Sequence, residues 1–95
     1  MLFFVKVRVD INKLAEFGQK LQNGELDTSS VKSSTYCIKD EPTVGLSIWE
    51  ADDKADFDKK FEPHKKYYAD VLEITPVIPA EESKKILMEQ MTGVN

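Results

Sequence analysis

The chain has 95 residues, 41% of them apolar, and a formal net charge of −4. That length predicts a single domain over residues 1–95, and a surplus of acids with one arginine, Arg8, argues against a nucleic-acid surface. The lone cysteine, Cys37, excludes an intrachain disulfide and a cysteine-rich zinc site and fits a cytoplasmic protein, and no stretch approaches the roughly 20 apolar residues of a membrane span.

Alternating residues predict a first strand over Leu2–Val9. Phe3, Val5, Val7 and Val9 share one face of it, and Phe4, Lys6, Arg8 and Asp10 the other. The valine face is expected to meet helices, leaving the Phe4/Lys6/Arg8 face uncovered. Asp10 or Asn12 can cap a helix over Asn12–Leu21, in which Leu14, Phe17, Gly18 and Leu21 recur at helical spacing. Asn23-Gly24 is a helix stop, and the polar segment from Glu25 to Ser30 reads as loop.

A second strand is predicted over Val31–Ile38 and a third over Val44–Glu50, joined by a turn at Asp40-Glu41-Pro42-Thr43. In the third strand Val44, Leu46 and Ile48 alternate with Gly45, Ser47 and Trp49. Sending the aliphatic set toward the helices places Trp49 on the uncovered side. In the second strand the alternation is ambiguous, and Tyr36 is placed on the uncovered side. Asp52-Asp53 marks the start of a second helix, Asp53–Tyr68, along which Phe57, Phe61, His64 and Tyr68 form a stripe. Pro63 is expected to kink or restart that helix. A fourth strand over Leu72–Ile78 and a short helix opened by Pro79, carrying Ile86, Leu87 and Met91, complete the chain.

This order of patterns predicts an α+β, ferredoxin-like βαββαβ domain: a four-stranded antiparallel sheet in the order 4-1-3-2, two helices on one face and a short C-terminal helix. With both helices on one side, the other side is bare. A bare face carrying Phe4, Tyr36, Ile38 and Trp49 is expected to bury itself against a second copy.

Trp49-Glu50-Ala51-Asp52-Asp53 at the end of the third strand, then Phe57 and Phe61, then Glu73-Ile74-Thr75-Pro76-Val77, resemble a small bacterial domain family of the dimeric α+β barrel superfamily. The resemblance covers roughly residues 1–90 and rests on short, mainly structural motifs. It implies two ferredoxin-like sheets paired face to face as a homodimer. Relatives in that superfamily include cofactor-free monooxygenases, muconolactone isomerases and haem-degrading enzymes. The Glu50 and His64 placements resemble the antibiotic-biosynthesis monooxygenase pattern, but the intervening sequence departs from it, and no catalytic role is carried over.

From the residues themselves, Lys6, Arg8 and Glu73 are candidates for an anion-recognising floor, Arg8 offering a fork matched to a carboxylate. The same three residues are equally readable as cross-strand ion pairs. Trp49 and Tyr36 are candidate pocket walls or interface packing. His64, the only histidine, is the natural proton acceptor near neutral pH, with Glu73 a second candidate; its position beside Phe61 and Tyr68 also fits helix packing. Asp52, Asp53, Asp56 and Asp58 lack the spacing of a calcium loop and read as capping and solvated acids. Neither a cofactor nor a metal is implied. The expected function is binding of a small amphipathic or aromatic acid in a cavity lined by the sheet. The alternatives are a cofactor-independent monooxygenase or isomerase, with Arg8 stabilising an oxyanion, and a structural or regulatory dimerisation domain.

Overall fold

The structure, a computed structural model, describes residues 1–93. Its elements are β1 (Leu2–Val9), a 3-10 turn at Ile11–Lys13, α1 (Leu14–Gln22), β2 (Tyr36–Ile38), β3 (Glu41–Glu50), α2 (Lys54–Lys65), β4 (Tyr68–Val77) and α3 (Ala80–Gly93). The strands form one antiparallel sheet in the order β2-β3-β1-β4, so β1 is central. The fold is α+β with a four-stranded antiparallel sheet and three helices. No helix among the described residues is long and apolar enough to cross a membrane.

The pairing register decides which side chains share a face. Phe3 lies opposite Trp49, Val5 opposite Ser47 and Val7 opposite Gly45. Since directly opposed residues point the same way, Trp49, Ser47 and Gly45 join the valine face. Val44, Leu46 and Ile48 lie opposite Arg8, Lys6 and Phe4, on the other face. The expected facing of the third strand is therefore inverted. Trp49 is in the core at 3% exposure, not on the uncovered side. The reason is geometric: the partner strand fixes parity, and a count of aliphatic residues does not. Tyr36 pairs with Leu46 and is exposed on the uncovered face, as expected.

α2 seals one half of the valine face. Phe57 and Phe61 are fully buried and stack on each other with ring centroids 5.2 Å apart; Phe57 lies 4.6 Å from Phe3. Trp49 meets Phe57, Phe61 and His64 edge-on at 5.7, 5.3 and 5.1 Å. Edge-to-face rings of this kind add to what burial alone contributes. The helix starts where the acids predict. Asp53 Oδ1 accepts from the Asp56 backbone N–H at 2.7 Å, and Asp56 Oδ2 accepts from the Asp52 N–H at 2.9 Å. It ends at Lys65, not Tyr68: Pro63 sits in the last turn, removes one backbone donor, and the helix stops two residues later. Tyr68 then opens β4, four residues ahead of the expected start.

α1 ends as its sequence predicts. Gly24 has φ +74°, its N–H bonds the Leu21 carbonyl at 3.2 Å, and the Glu25 N–H bonds the Lys20 carbonyl at 3.0 Å. This pair of bonds is the Schellman stop. Asp10 Oδ1 accepts from the Asn12 N–H at 3.0 Å at the other end. The predicted second strand is shorter than expected: only Tyr36–Ile38 pair continuously, with an isolated bridge from Val31 to Trp49. The turn falls at Lys39-Asp40, and Glu41 already belongs to β3.

The shape is extended. The radius of gyration is 16.2 Å and the principal extents are 57 × 31 × 19 Å, whereas a compact chain of this length has a radius near ~12 Å. On α3, Ile86, Leu87 and Met91 are exposed at 42, 56 and 73%.

Candidate functional site

α1 carries the predicted apolar stripe, yet none of its residues is buried. The stripe faces a space. Leu14, Phe17 and Leu21 form one wall of a cleft of about 870 Å3 whose floor is the valine face of the sheet: Val7 and Val9 of β1, Gly45, Ser47 and Trp49 of β3, and Cys37 of β2. Val31, Pro42, three threonines, His64 and Tyr68 are also among the lining residues. Native interiors have few voids larger than a water molecule, and ligand pockets measure about 300–1,000 Å3 with mostly apolar walls. This cleft has the size and the lining of a ligand site.

Local structure explains the opening. Phe17 anchors α1, stacked on Tyr67 at 5.0 Å and edge-on to Tyr68 and His64 at 5.7 and 6.4 Å. Opposite it, β3 presents Gly45, whose missing side chain leaves the floor low. A Cβ there would meet only the Thr35 Cγ2, at 3.6 Å. One large wall residue and one absent floor residue keep helix and sheet apart.

The polar groups of the cleft are few. His64 is buried at 2% exposure, and its Nε2 donates to the Asp27 carbonyl at 3.0 Å. A carbonyl only accepts, so Nε2 carries a proton in this contact, and Nδ1 is the ring's other nitrogen. Trp49 Nε1 donates to Ser47 Oγ at 3.0 Å, and the serine hydroxyl retains a proton to donate. Burial pushes the Tyr68 hydroxyl up to about 12, so it remains a phenol throughout the physiological range. Cys37 is an exposed free thiol. No Lys, Arg, Asp or Glu is among the lining residues.

The predicted site residues divide between the two faces of the sheet. Lys6, Arg8, Glu73 and Tyr36 lie on the uncovered face, with Lys6 directly opposite Glu73. Trp49 and His64 lie on the helix side, in the cleft. The expected convergence of Lys6 and Arg8 with Ser47 and Trp49 does not form, because the inverted facing of β3 puts Leu46 and Val44 beside the two cations. Arg8 is occupied: Nη2 meets Glu41 Oε1 at 2.6 Å and Nη1 meets Asp70 Oδ2 at 2.8 Å. Hydrogen bonds donated to the two carboxylates raise its pKa and tie β3 and β4 to β1. Glu73 Oε2 accepts from the Thr75 hydroxyl at 2.7 Å. Among the described residues no cluster of His, Cys, Asp or Glu is arranged to hold a metal ion.

Sequence reasoning missed Gly45, Leu14 and Leu21 as site residues. Apolar spacing marked the two leucines as helix-packing residues, and nothing in the pattern distinguishes a face that packs from a face that lines a space. Comparison of the chain with protein-family models, with curated proteins and with solved structures finds no match.

Proposed function

We propose that this protein binds a small, largely apolar molecule in the cleft between α1 and the sheet. The observation that carries this reading is an apolar space of about 870 Å3 inside a domain of 95 residues, walled by one helix that buries none of its own side chains. The lining favours a neutral or weakly polar ligand over a free acid. An ionised carboxylate would lose its hydration there without a cation to meet it, since Lys6 and Arg8 stand on the opposite face. The ligand's polar end would meet His64 Nδ1 or accept from Tyr68 or Ser47, and its body would lie along Leu14, Leu21 and Trp49.

A catalytic reading has less support. Nε2 of His64 is held by a backbone carbonyl, with no acidic side chain orienting the ring, and Glu73 lies across the sheet from it. Nucleophile, base and orienter are the parts a reaction would need.

The test is titration with an apolar fluorescent probe, in the natural chain and in Gly45→Leu. The backbone at Gly45 accepts a side chain, which would project into the cleft and fill it. The reading predicts at least about a tenfold loss of probe affinity, the loss of roughly 1.4 kcal/mol of apolar contact, together with an unchanged or raised melting temperature. Equal affinity in the two chains would refute it.

A homodimer through the uncovered sheet face is the second reading. Phe4, Leu46 and Ile48 are only half-buried there and Tyr36 is 69% exposed, and α1 and α2 both line the other side. A twofold contact lets such a patch cover its own copy.

A further inference from the structure

We infer that the molecule taken up by the cleft is a neutral carbonyl compound (a ketone, aldehyde, ester or lactone) whose carbonyl oxygen accepts a hydrogen bond from the phenol of Tyr68. This rests on the cleft-binding reading and names the chemical class of its ligand.

Tyr68 opens β4 and lies opposite Val9 of β1, so it projects from the valine face. Its ring stacks on Phe61 with centroids 5.7 Å apart and meets Phe17 edge-on at 5.7 Å. The ring is thereby held by a residue of α1 and a residue of α2. Its hydroxyl forms no hydrogen bond with any described residue, whereas a buried tyrosine hydroxyl usually finds a partner. Among the described residues no fully enclosed side-chain oxygen or nitrogen lacks a hydrogen bond. The Tyr68 oxygen is therefore not sealed in protein, and the space that Tyr68 borders is the cleft. Burial alone raises its pKa to about 12, so at neutral pH the group is a phenol with a proton to give.

The ligand class follows by matching this donor. A body that fills the cleft displaces the water that would otherwise meet the phenol, and one without an acceptor leaves the proton unpaired at the full desolvation cost. A carboxylate would accept, but the lining holds no Lys or Arg to offset its charge, and an ammonium group would find no Asp or Glu there. An alcohol would accept too, yet it adds a proton of its own. The rings packed on Tyr68, Phe17 and Phe61, offer no oxygen or nitrogen to receive it. A carbonyl oxygen accepts and brings no proton. The remaining walls, Val7, Val9, Leu14 and Leu21 among them, take the hydrocarbon body.

The experiment uses the full chain and three probes on one skeleton: acetylnaphthalene, naphthylethanol and ethylnaphthalene. Affinities are measured in the natural chain and in Tyr68→Phe, which removes the hydroxyl and keeps the ring contacts, with circular dichroism as the control for folding. The ketone's affinity relative to the hydrocarbon should fall about fivefold in the variant, the loss of one neutral hydrogen bond, and the alcohol's should fall less. A second measurement needs no variant. The carbonyl band of bound acetylnaphthalene, isolated by isotope-edited infrared difference spectra, is expected at the lowered frequency this ketone shows in an alcohol. An unchanged ketone-to-hydrocarbon ratio, an alcohol ratio that falls as far as the ketone's, or a band at the frequency seen in a hydrocarbon solvent would overturn the carbonyl assignment and leave the cleft reading standing. Failure of all three probes to bind saturably to the natural chain would remove both.

Discussion

Trp49 is the residue on which the core turns. It bridges the sheet to three rings of α2 and is almost completely buried within its own copy. Replacing it with alanine should destabilise the fold by about 3–5 kcal/mol, as for other large aromatic truncations, read as a lowered midpoint in urea. Its fluorescence should also resist an aqueous quencher at every protein concentration, because the protection comes from α2 and not from a partner. Tyr68 gives the pH counterpart. Its folded pKa lies near 12, above the ordinary phenol value of 10.0, because burial penalises the phenolate. The raised value means its contribution to stability is whole below pH 10 and is lost as pH rises through 12. An ultraviolet titration should therefore show a late tyrosine step, from Tyr68, together with unfolding. That step should be smaller by one tyrosine in Tyr68→Phe; an identical late step in the two chains would contradict the assignment. Facing was the residue-level feature least legible in the sequence. β3 offers three aliphatic residues in one parity and an indole, a serine and a glycine in the other, and only pairing with Phe3 and Val5 chooses between them.

At the level of elements, local signals read well and tertiary ones poorly. Asp10, Asp53 and Asn23-Gly24 each do in the structure what their short side chains or missing Cβ imply. Gly24 is the sharpest case. Its φ of +74° is strained for any residue with a Cβ, so Gly24→Ala should lower stability by about 1–2 kcal/mol, measured as a drop in the denaturation midpoint with an unchanged slope. An unaltered midpoint would mean the α1 stop is dispensable. The bounds of β2 and β4 were not legible for a different reason. Val31 and Tyr36 alternate with their neighbours like strand residues, but the chain between them leaves the sheet, and the Ser33 hydroxyl replaces a ladder partner by accepting from the Ile48 N–H at 3.1 Å. β4 slips by one residue against β1 between Lys6 and Val7, so Leu72 lacks an opposite residue. Neither event leaves a mark in hydrophobic periodicity.

For the molecule as a whole, the sequence implied one covered and one bare sheet face, and located the interest on the bare one. The covered face turned out to be only half filled. α2 packs against it and α1 stands away, because Phe17 props the helix at one end while Gly45 leaves the floor low. A cleft of that origin follows from the difference in size between two positions on separate elements, which no one-dimensional pattern carries. The resulting account assigns the two faces different work: the helix side takes a small molecule, and the uncovered side takes a second copy. Nuclear magnetic resonance distinguishes these most directly. When an apolar probe is titrated into the labelled chain, the account predicts that shifts concentrate at Leu14 and Leu21 of α1 and at Gly45 and Ser47 of β3. Shifts centred instead on Lys6, Arg8 and Leu46 of the opposite face, or no saturable shifts at all, would contradict it.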